Sequence, residues 1–381
     1  MVDLINSVES NYESIVLLSN DKGVFEEDCR RLYRNVDLQK IMLVTRPLIN
    51  HLLYFIPPNF RRVILFPLVL LEPVFFIVNL IALVFRLKRI NPACILSCNG
   101  GYPAAYSTLA MVIAARIIGR PAALSVVSMP TPRRPYLKHY EKLIDKLAWA
   151  SAALVIVNAN TIAKALAVLR DMPEGLSQVI HNGLEDKPPV IAHKKNEAEV
   201  VIGCVARLDA AKGVLFLFDA FVELERVHPE LRLVLAGSGD VSDELARRTE
   251  VLGLQSKVKL LGHFEGDVGG LLATFDIYVF PSLWEGFPYS IIEALRSACV
   301  IVATRVGGIP EAIIDNVEGL LIEPGSVEAI SAAVSRLLNE PNLAKVLAAN
   351  ARARFEQDMM LPVMQERVRG VFARLQESEA V

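Results

Sequence analysis

Two series of short apolar, β-branched runs, each followed by a stretch with helical spacing, constrain this chain more than any other feature. In the first series the runs lie at 13–19, 93–98, 122–127 and 153–157, with a helix expected over 104–118. The second series places strands at 200–205, 231–236, 258–261, 277–280, 300–303 and 319–322, then helices at 327–339, 343–355 and 361–375. Strand and helix in strict alternation build a parallel sheet covered by helices on both faces. A proline- and charge-rich patch at 185–198 interrupts the pattern and reads as a linker. The expectation is an α/β protein of two doubly wound, Rossmann-like domains with an intervening cleft. Its parts are a first domain over 1–184, the linker, a second domain over 199–355, and a C-terminal helix over 356–381 packing back toward the first domain.

At 381 residues the chain exceeds what one core usually serves, in keeping with two domains. Its net charge is only -2, so no basic field holds a nucleic acid. The five cysteines have no paired ligand spacing and sit in apolar settings, which reads as reduced thiols in the cytoplasm. No signal sequence opens the chain.

Mean hydropathy is high, +0.38, and much of it comes from residues 63–85, VILFPLVLLEPVFFIVNLIALVF, bracketed by Arg61-Arg62 and by Arg86, Lys88 and Arg89. A crossing needs roughly 20 apolar residues. Pro67, Glu72, Pro73 and Asn79 interrupt this one, and a charge near mid-bilayer is costly. Three readings stand beside each other: a helix lying in the membrane face with basic flanks on anionic headgroups, an ordinary buried helix, and a span.

In open parallel sheets ligands bind beyond the carboxyl ends of the strands. Four turns of the second domain sit there. ARLDAAKG presents Arg207 and Lys212, AGSGD presents Gly237 and Gly239, EGFPYSIIEA presents Glu285 and Glu293, and TRVGGIPE presents Gly307 and Gly308 ahead of a helix. Taken singly they read as surface charges, a tight turn and helix starts. Together, two cations, glycine turns and helix N-termini on one sheet edge form a diphosphate pocket, because free N–H groups and the helix dipole favour negative charge. Glu285 falls on the turn and Glu293 about one turn into the next helix, so both can face one ligand. Carboxylates accept from vicinal hydroxyls, as on a ribose or a sugar ring. Glu293 paired with Arg296 is the plain structural alternative.

These four motifs, with the interdomain segment 179–185, resemble family 4 retaining glycosyltransferases of the GT-B architecture over about 170 residues. The first domain resembles them more loosely, through NGGYP at 99–103. The resemblance implies transfer of a sugar from a nucleotide diphosphate sugar, which serves as co-substrate with no other cofactor, to an acceptor held by the first domain. It assigns Arg207 and Lys212 to the leaving diphosphate and Glu285 to the donor sugar. It places Glu293, Gly237, Gly239, Gly286, Phe287, Tyr289, Gly307 and Gly308 around the donor, and Asn99, Gly100, Ser128 and Arg133 on the acceptor side. Fixed cations and dipoles aimed at a departing group are usually the largest catalytic term. No Asp-x-Asp pair occurs anywhere, so no metal clamp is expected.

Two departures from the family stand out. Residues 1–8 read as the middle of its first helix, so its first strand is absent and a start further upstream is expected. After the strand at 122–127, Ser128 and Met129 occupy the place where relatives often carry a histidine, and Arg133 and Arg134 read as a solvated loop or as contacts to an anionic acceptor. His181 reads as structural. With residues 63–85, the combined expectation is a hexosyltransferase acting on a lipid-linked or glycolipid acceptor at the inner membrane face, in cell-surface polysaccharide assembly. A noncatalytic partner of the same fold and a nucleotide-sugar epimerase are the alternatives.

Overall fold

The computed structural model describes residues 14–19, 36–44, 71–103, 105–187 and 198–377. The expected helix at 1–8, the apolar residues 63–70 and most of the expected linker lie outside these. The chain divides into two compact units. The first comprises residues 1–157, 162–180 and 365–381; the second comprises 158–161 and 181–364.

In the first unit, β1 (Ile15–Ser19) pairs, among the described residues, only with β2 (Val36–Lys40), in parallel. After α1 (Glu72–Ile90) come β3 (Ile95–Asn99), α2 (Tyr106–Ile117), β4 (Ala122–Val126), α3 (Lys138–Ser151), β5 (Leu154–Val157), α4 (Asn160–Arg170) and β6 (Ser177–Val179). The four later strands form a parallel sheet in sequential order β3-β4-β5-β6. Every residue of β4 is buried, as expected of a parallel strand covered on both faces.

Of the 63–85 segment, residues 71–85 are described. The helix begins at Glu72, with Pro73 in its first turn where a missing N–H does no harm. No helix among the described residues is long and apolar enough to cross a membrane. Asn79 is buried, and its side chain exchanges hydrogen bonds with the backbone N–H and carbonyl of Val44 at 2.8 and 2.9 Å. The arginines expected to be solvated are not. Arg134 reaches Glu72 on α1 at 2.5 Å and Glu141 on α3 at 2.6 Å, and Arg170 reaches the other Glu141 oxygen at 2.8 Å. Arg133 joins Asp145 at 2.7 Å and Asp171 at 3.1 Å. Burial would raise the Glu141 pKa, but hydrogen bonds from Arg134 and Arg170 outweigh it and hold the carboxyl below its usual range.

The second unit holds one six-stranded parallel sheet of order β12-β11-β10-β7-β8-β9, built from β7 (Val200–Val205), β8 (Leu231–Ala236), β9 (Val258–Gly262), β10 (Ile277–Phe280), β11 (Ile301–Thr304) and β12 (Leu320–Ile322). Between them run α5 (Val214–Leu224), α6 (Ser242–Val251), α7 (Val268–Leu272), α8 (Tyr289–Arg296) and α9 (Ile309–Ala312), followed by α10 (Val327–Asn339) and α11 (Pro341–Asp358); α12 (Leu361–Glu377) belongs to the first unit from residue 365 onward. One face packs Phe218, Phe221, Leu233, Leu235, Val302 and Val334 into a continuous apolar core. Strand order reverses between β7 and β10. In such sheets that reversal opens a crevice at the carboxyl ends.

Candidate functional site

The loops leaving β7 and β10 meet at this switch point. After β7 the chain makes a short 3-10 turn, Ala210–Lys212, and ends it on Gly213 in the left-handed region, where a Cβ would sit 2.0 Å from the Pro281 carbonyl oxygen. The Leu283 N–H donates to the Ala211 carbonyl at 2.8 Å, tying the two loops together. That brings Lys212 Nζ to 2.5 Å from Glu285 Oε1, and Ser282 Oγ donates to the same oxygen at 2.7 Å. Thr304, at the end of β11, donates through Oγ1 to the Ser282 carbonyl. Ser282 and Thr304 are site residues that the sequence does not single out, since a hydroxyl in a turn carries no signature of its own.

The other cation is placed differently. Arg207 is 76% exposed, held at 3.1 Å by Asp209, and is therefore available to an incoming anion. Glu293 lies on α8, half-buried, with no hydrogen-bond or ion-pair partner among the described residues. Burial pushes its carboxyl pKa up, and the charge of Arg296 offsets this only in part. The expected alternative of an Arg296 salt bridge is not formed, because Arg296 donates instead to the Glu185 carbonyl. Tyr289 opens α8 and is exposed, while Phe287 and Gly286 are buried. Pro288 gives α8 no side-chain cap.

The glycines do a different job from the one their pattern suggests. A Cβ on Gly237, whose φ is 138°, would lie 1.8 Å from the Ala206 carbonyl oxygen, and one on Gly239 would lie 2.2 Å from that of Leu208. On Gly307 it would meet the Glu285 carbonyl oxygen at 2.1 Å, and on Gly308 that of Gly286 at 2.7 Å. Each glycine lets one site loop rest on the backbone of another. Their N–H groups are largely engaged: Gly237 donates to Gly262 at 2.8 Å, Gly239 to Ser242 Oγ at 3.0 Å and Gly308 to Gly286 at 2.6 Å. The glycines shape the loops that carry Arg207 and Glu285.

Glu311, which closes TRVGGIPE, organises a second cluster that the sequence does not announce. Its carboxylate accepts from the N–H and side chain of Asn160 at 2.8 and 2.9 Å and from the N–H and hydroxyl of Thr161 at 2.8 and 2.9 Å. His181 Nε2 stands 3.2 Å away, and its ring stacks on Phe287 with centroids 4.6 Å apart. Burial would raise the Glu311 pKa, but the Asn160 and Thr161 hydrogen bonds outweigh it and lower it.

In the first unit Asn99 ends β3, 2% exposed, with neither amide atom hydrogen-bonded. Gly100 is exposed beside it and Ser128, beyond β4, is half-buried. Arg133 is committed to Asp145 and Asp171, leaving only a buried Nη2 unpaired.

A family model described as glycosyl transferases group 1 matches residues 190–354, the stretch holding all four motifs. Residues 190–354 are thus similar to the glycosyl transferases group 1 family. An uncharacterized glycosyltransferase of Methanocaldococcus jannaschii is 28% identical to the chain over 225 residues, 55% of this chain and 57% of that protein. An N-acetylgalactosaminyltransferase of Campylobacter jejuni, named for a diphospho-undecaprenol-linked acceptor, is 27% identical over 254 residues, 64% of this chain and 68% of that protein. The chain thus spans little more than half the length of the first of these relatives and about two thirds of the second. The Anabaena protein HepE, solved with UDP, superposes with a TM-score of 0.73 at 20% identity, covering 98% of this chain and 96% of that one. The chain therefore has the GT-B fold.

Proposed function

We propose that this chain is a retaining glycosyltransferase that moves a sugar from a nucleotide diphosphate sugar to a lipid-linked or glycolipid acceptor at the inner membrane face, without a metal clamp. The observation that carries this reading is the arrangement at the switch point: a buried Lys212–Glu285 pair, an exposed Arg207 and an unpartnered Glu293 on one edge of one sheet. Breaking the bond between the sugar and the diphosphate leaves negative charge on the leaving group. Arg207 and Lys212 would neutralise it, and the uncapped first turn of α8 would add its dipole. Lys212 already holds Glu285 in place, so Glu285 meets the donor sugar as a fixed acceptor of hydroxyl hydrogen bonds. Glu293, lacking a protein partner, is suited to ribose hydroxyls, which would repay its desolvation.

The Campylobacter relative supports a lipid-linked acceptor through its name, and HepE supports a nucleoside diphosphate. Cell-surface polysaccharide assembly follows as the pathway class. The test is a thermal shift with UDP, GDP and ADP in EDTA, followed by donor turnover with a polyprenyl diphosphate-linked acceptor and NMR assignment of the product anomer. One nucleotide raising the melting midpoint, an effect lost in Glu293→Ala, together with a retained anomeric configuration, is expected. No stabilisation by any of them would remove the reading.

A further inference from the structure

Helix α1 is apolar on both sides. Phe76, Leu83 and Leu87 are buried with Glu72 and Asn79 on one face; the opposite face carries Val74, Ile77, Val78, Ile81 and Phe85, each 48 to 71% exposed. Positions 74, 77, 78, 81 and 85 repeat at helical spacing, so they form one ridge. No polar residue interrupts it. A helix on a water-facing surface normally carries charged residues there, and a contiguous apolar patch marks an interaction site.

Charge is sorted on the same two helices that share the Arg134 contact. Every carboxylate of α1 and α3, namely Glu72, Glu141 and Asp145, is buried and joined to an arginine. Their cations face the other way: Lys88 and Arg89 at the end of α1, and Lys138, Lys142 and Lys146 on α3, are exposed and without ion pairs among the described residues. Tyr136, Leu143 and Leu147, also exposed, stand among the α3 lysines. Phe76 of α1 touches Tyr140 of α3 edge-on, with ring centroids 6.5 Å apart, so the two helices meet at this point, and both pack on α2.

We propose that the outer faces of α1 and α3 are a docking surface for an anionic lipid bilayer, with Val74, Ile77, Val78, Ile81 and Phe85 entering the acyl boundary and the α3 lysines meeting headgroup phosphates. An exposed apolar ridge on α1 and exposed cations without ion pairs on α1 and α3, with no exposed carboxylate on either helix, match an apolar phase topped with anions. A second copy of the chain would bring the same cations against themselves. The inference specifies the membrane side of the proposed acceptor, and it is read without turnover, so its failure is separable from failure of the transfer reaction.

The experiment is co-sedimentation of the full chain with vesicles of pure phosphatidylcholine and of phosphatidylcholine with about a third phosphatidylglycerol. The wild-type chain is expected to bind the anionic vesicles well and the neutral ones weakly. Ile77→Asp with Ile81→Asp should weaken binding at least about tenfold. Lys142→Glu with Lys146→Glu should abolish the preference for the anionic lipid, and because it lies on another helix it keeps the test sound should the first variant fail to fold. No wild-type binding to either vesicle, or binding unchanged in both folded variants, overturns the proposal. So does a wild-type dimer in size-exclusion chromatography that Ile77→Asp with Ile81→Asp dissociates.

Discussion

Lys212 Nζ and Glu285 Oε1 lie 2.5 Å apart with only 18% and 9% of their side chains exposed. A pair this secluded is held at a desolvation cost and is damaging to break from one side. Lys212→Ala leaves Glu285 with Ser282 as its remaining partner and should destabilise the second unit by about 2–4 kcal/mol, read from urea unfolding. Lys212→Met with Glu285→Gln removes both charges and should recover most of that loss. Turnover should fall by at least about two orders of magnitude in both, since each removes the cation proposed for the leaving group. Equal stability losses in the single and double variants would show that the pair is not coupled.

Glu293 makes the opposite prediction. Its carboxyl is pushed above the usual range by burial, so its folded pKa exceeds its unfolded one. At a pH below both values it is neutral in both states and adds no penalty; as pH rises through the unfolded value the penalty accrues, and it is complete above the folded value. Glu293→Gln should therefore be neutral near pH 4 and raise the melting midpoint at pH 8, while weakening nucleotide binding. A midpoint lowered at pH 8 would mean that the carboxylate has a stabilising partner.

Glu311 carries the usual sign. Its folded pKa is lowered, because hydrogen bonds from Asn160 and Thr161 exceed the effect of burial. Its stabilisation is present above the unfolded value and disappears as pH falls through the folded one. The difference in urea midpoint between the wild type and Glu311→Gln should be full above about pH 5 and shrink toward acid. A difference independent of pH between 3 and 6 would exclude the charge as its source.

The glycine contacts give a graded series. Gly253, at φ 69°, has nothing within 4 Å of an added Cβ, so Gly253→Ala carries only the left-handed backbone cost of about 1 kcal/mol. Gly237→Ala carries that strain and a Cβ 1.8 Å from the Ala206 carbonyl oxygen, so its loss should be at least twice as large and should reduce donor use. Similar melting midpoints for the two variants would show that the Arg207 loop is soft enough to move aside.

The second unit was legible in the sequence because parallel strands buried on both faces read as unbroken apolar runs: IYVF of β10 and IVAT of β11 are buried throughout. The first unit yielded less. The VDLQK of β2 alternates apolar and polar residues with Asp37 and Lys40 exposed, and β6 has three residues, too few to show a period. That Arg207, Lys212 and Glu285 stand on loops after strands, and Glu293 on the helix that follows, was readable in the sequence. Their pairing was not, since Lys212 and Glu285 are 73 positions apart. Nor does a sequence show that Arg133 and Arg134 find buried carboxylates, or that the N–H of Gly308 is already engaged.

The glycine-to-carbonyl contacts join the loops after β7 and β8, and those after β10 and β11, through main-chain atoms. Side chains such as Trp284 and Tyr289, both exposed, take no part in this bracing. Exposed side chains at this edge can therefore be exchanged without moving the main-chain frame that holds the loops together.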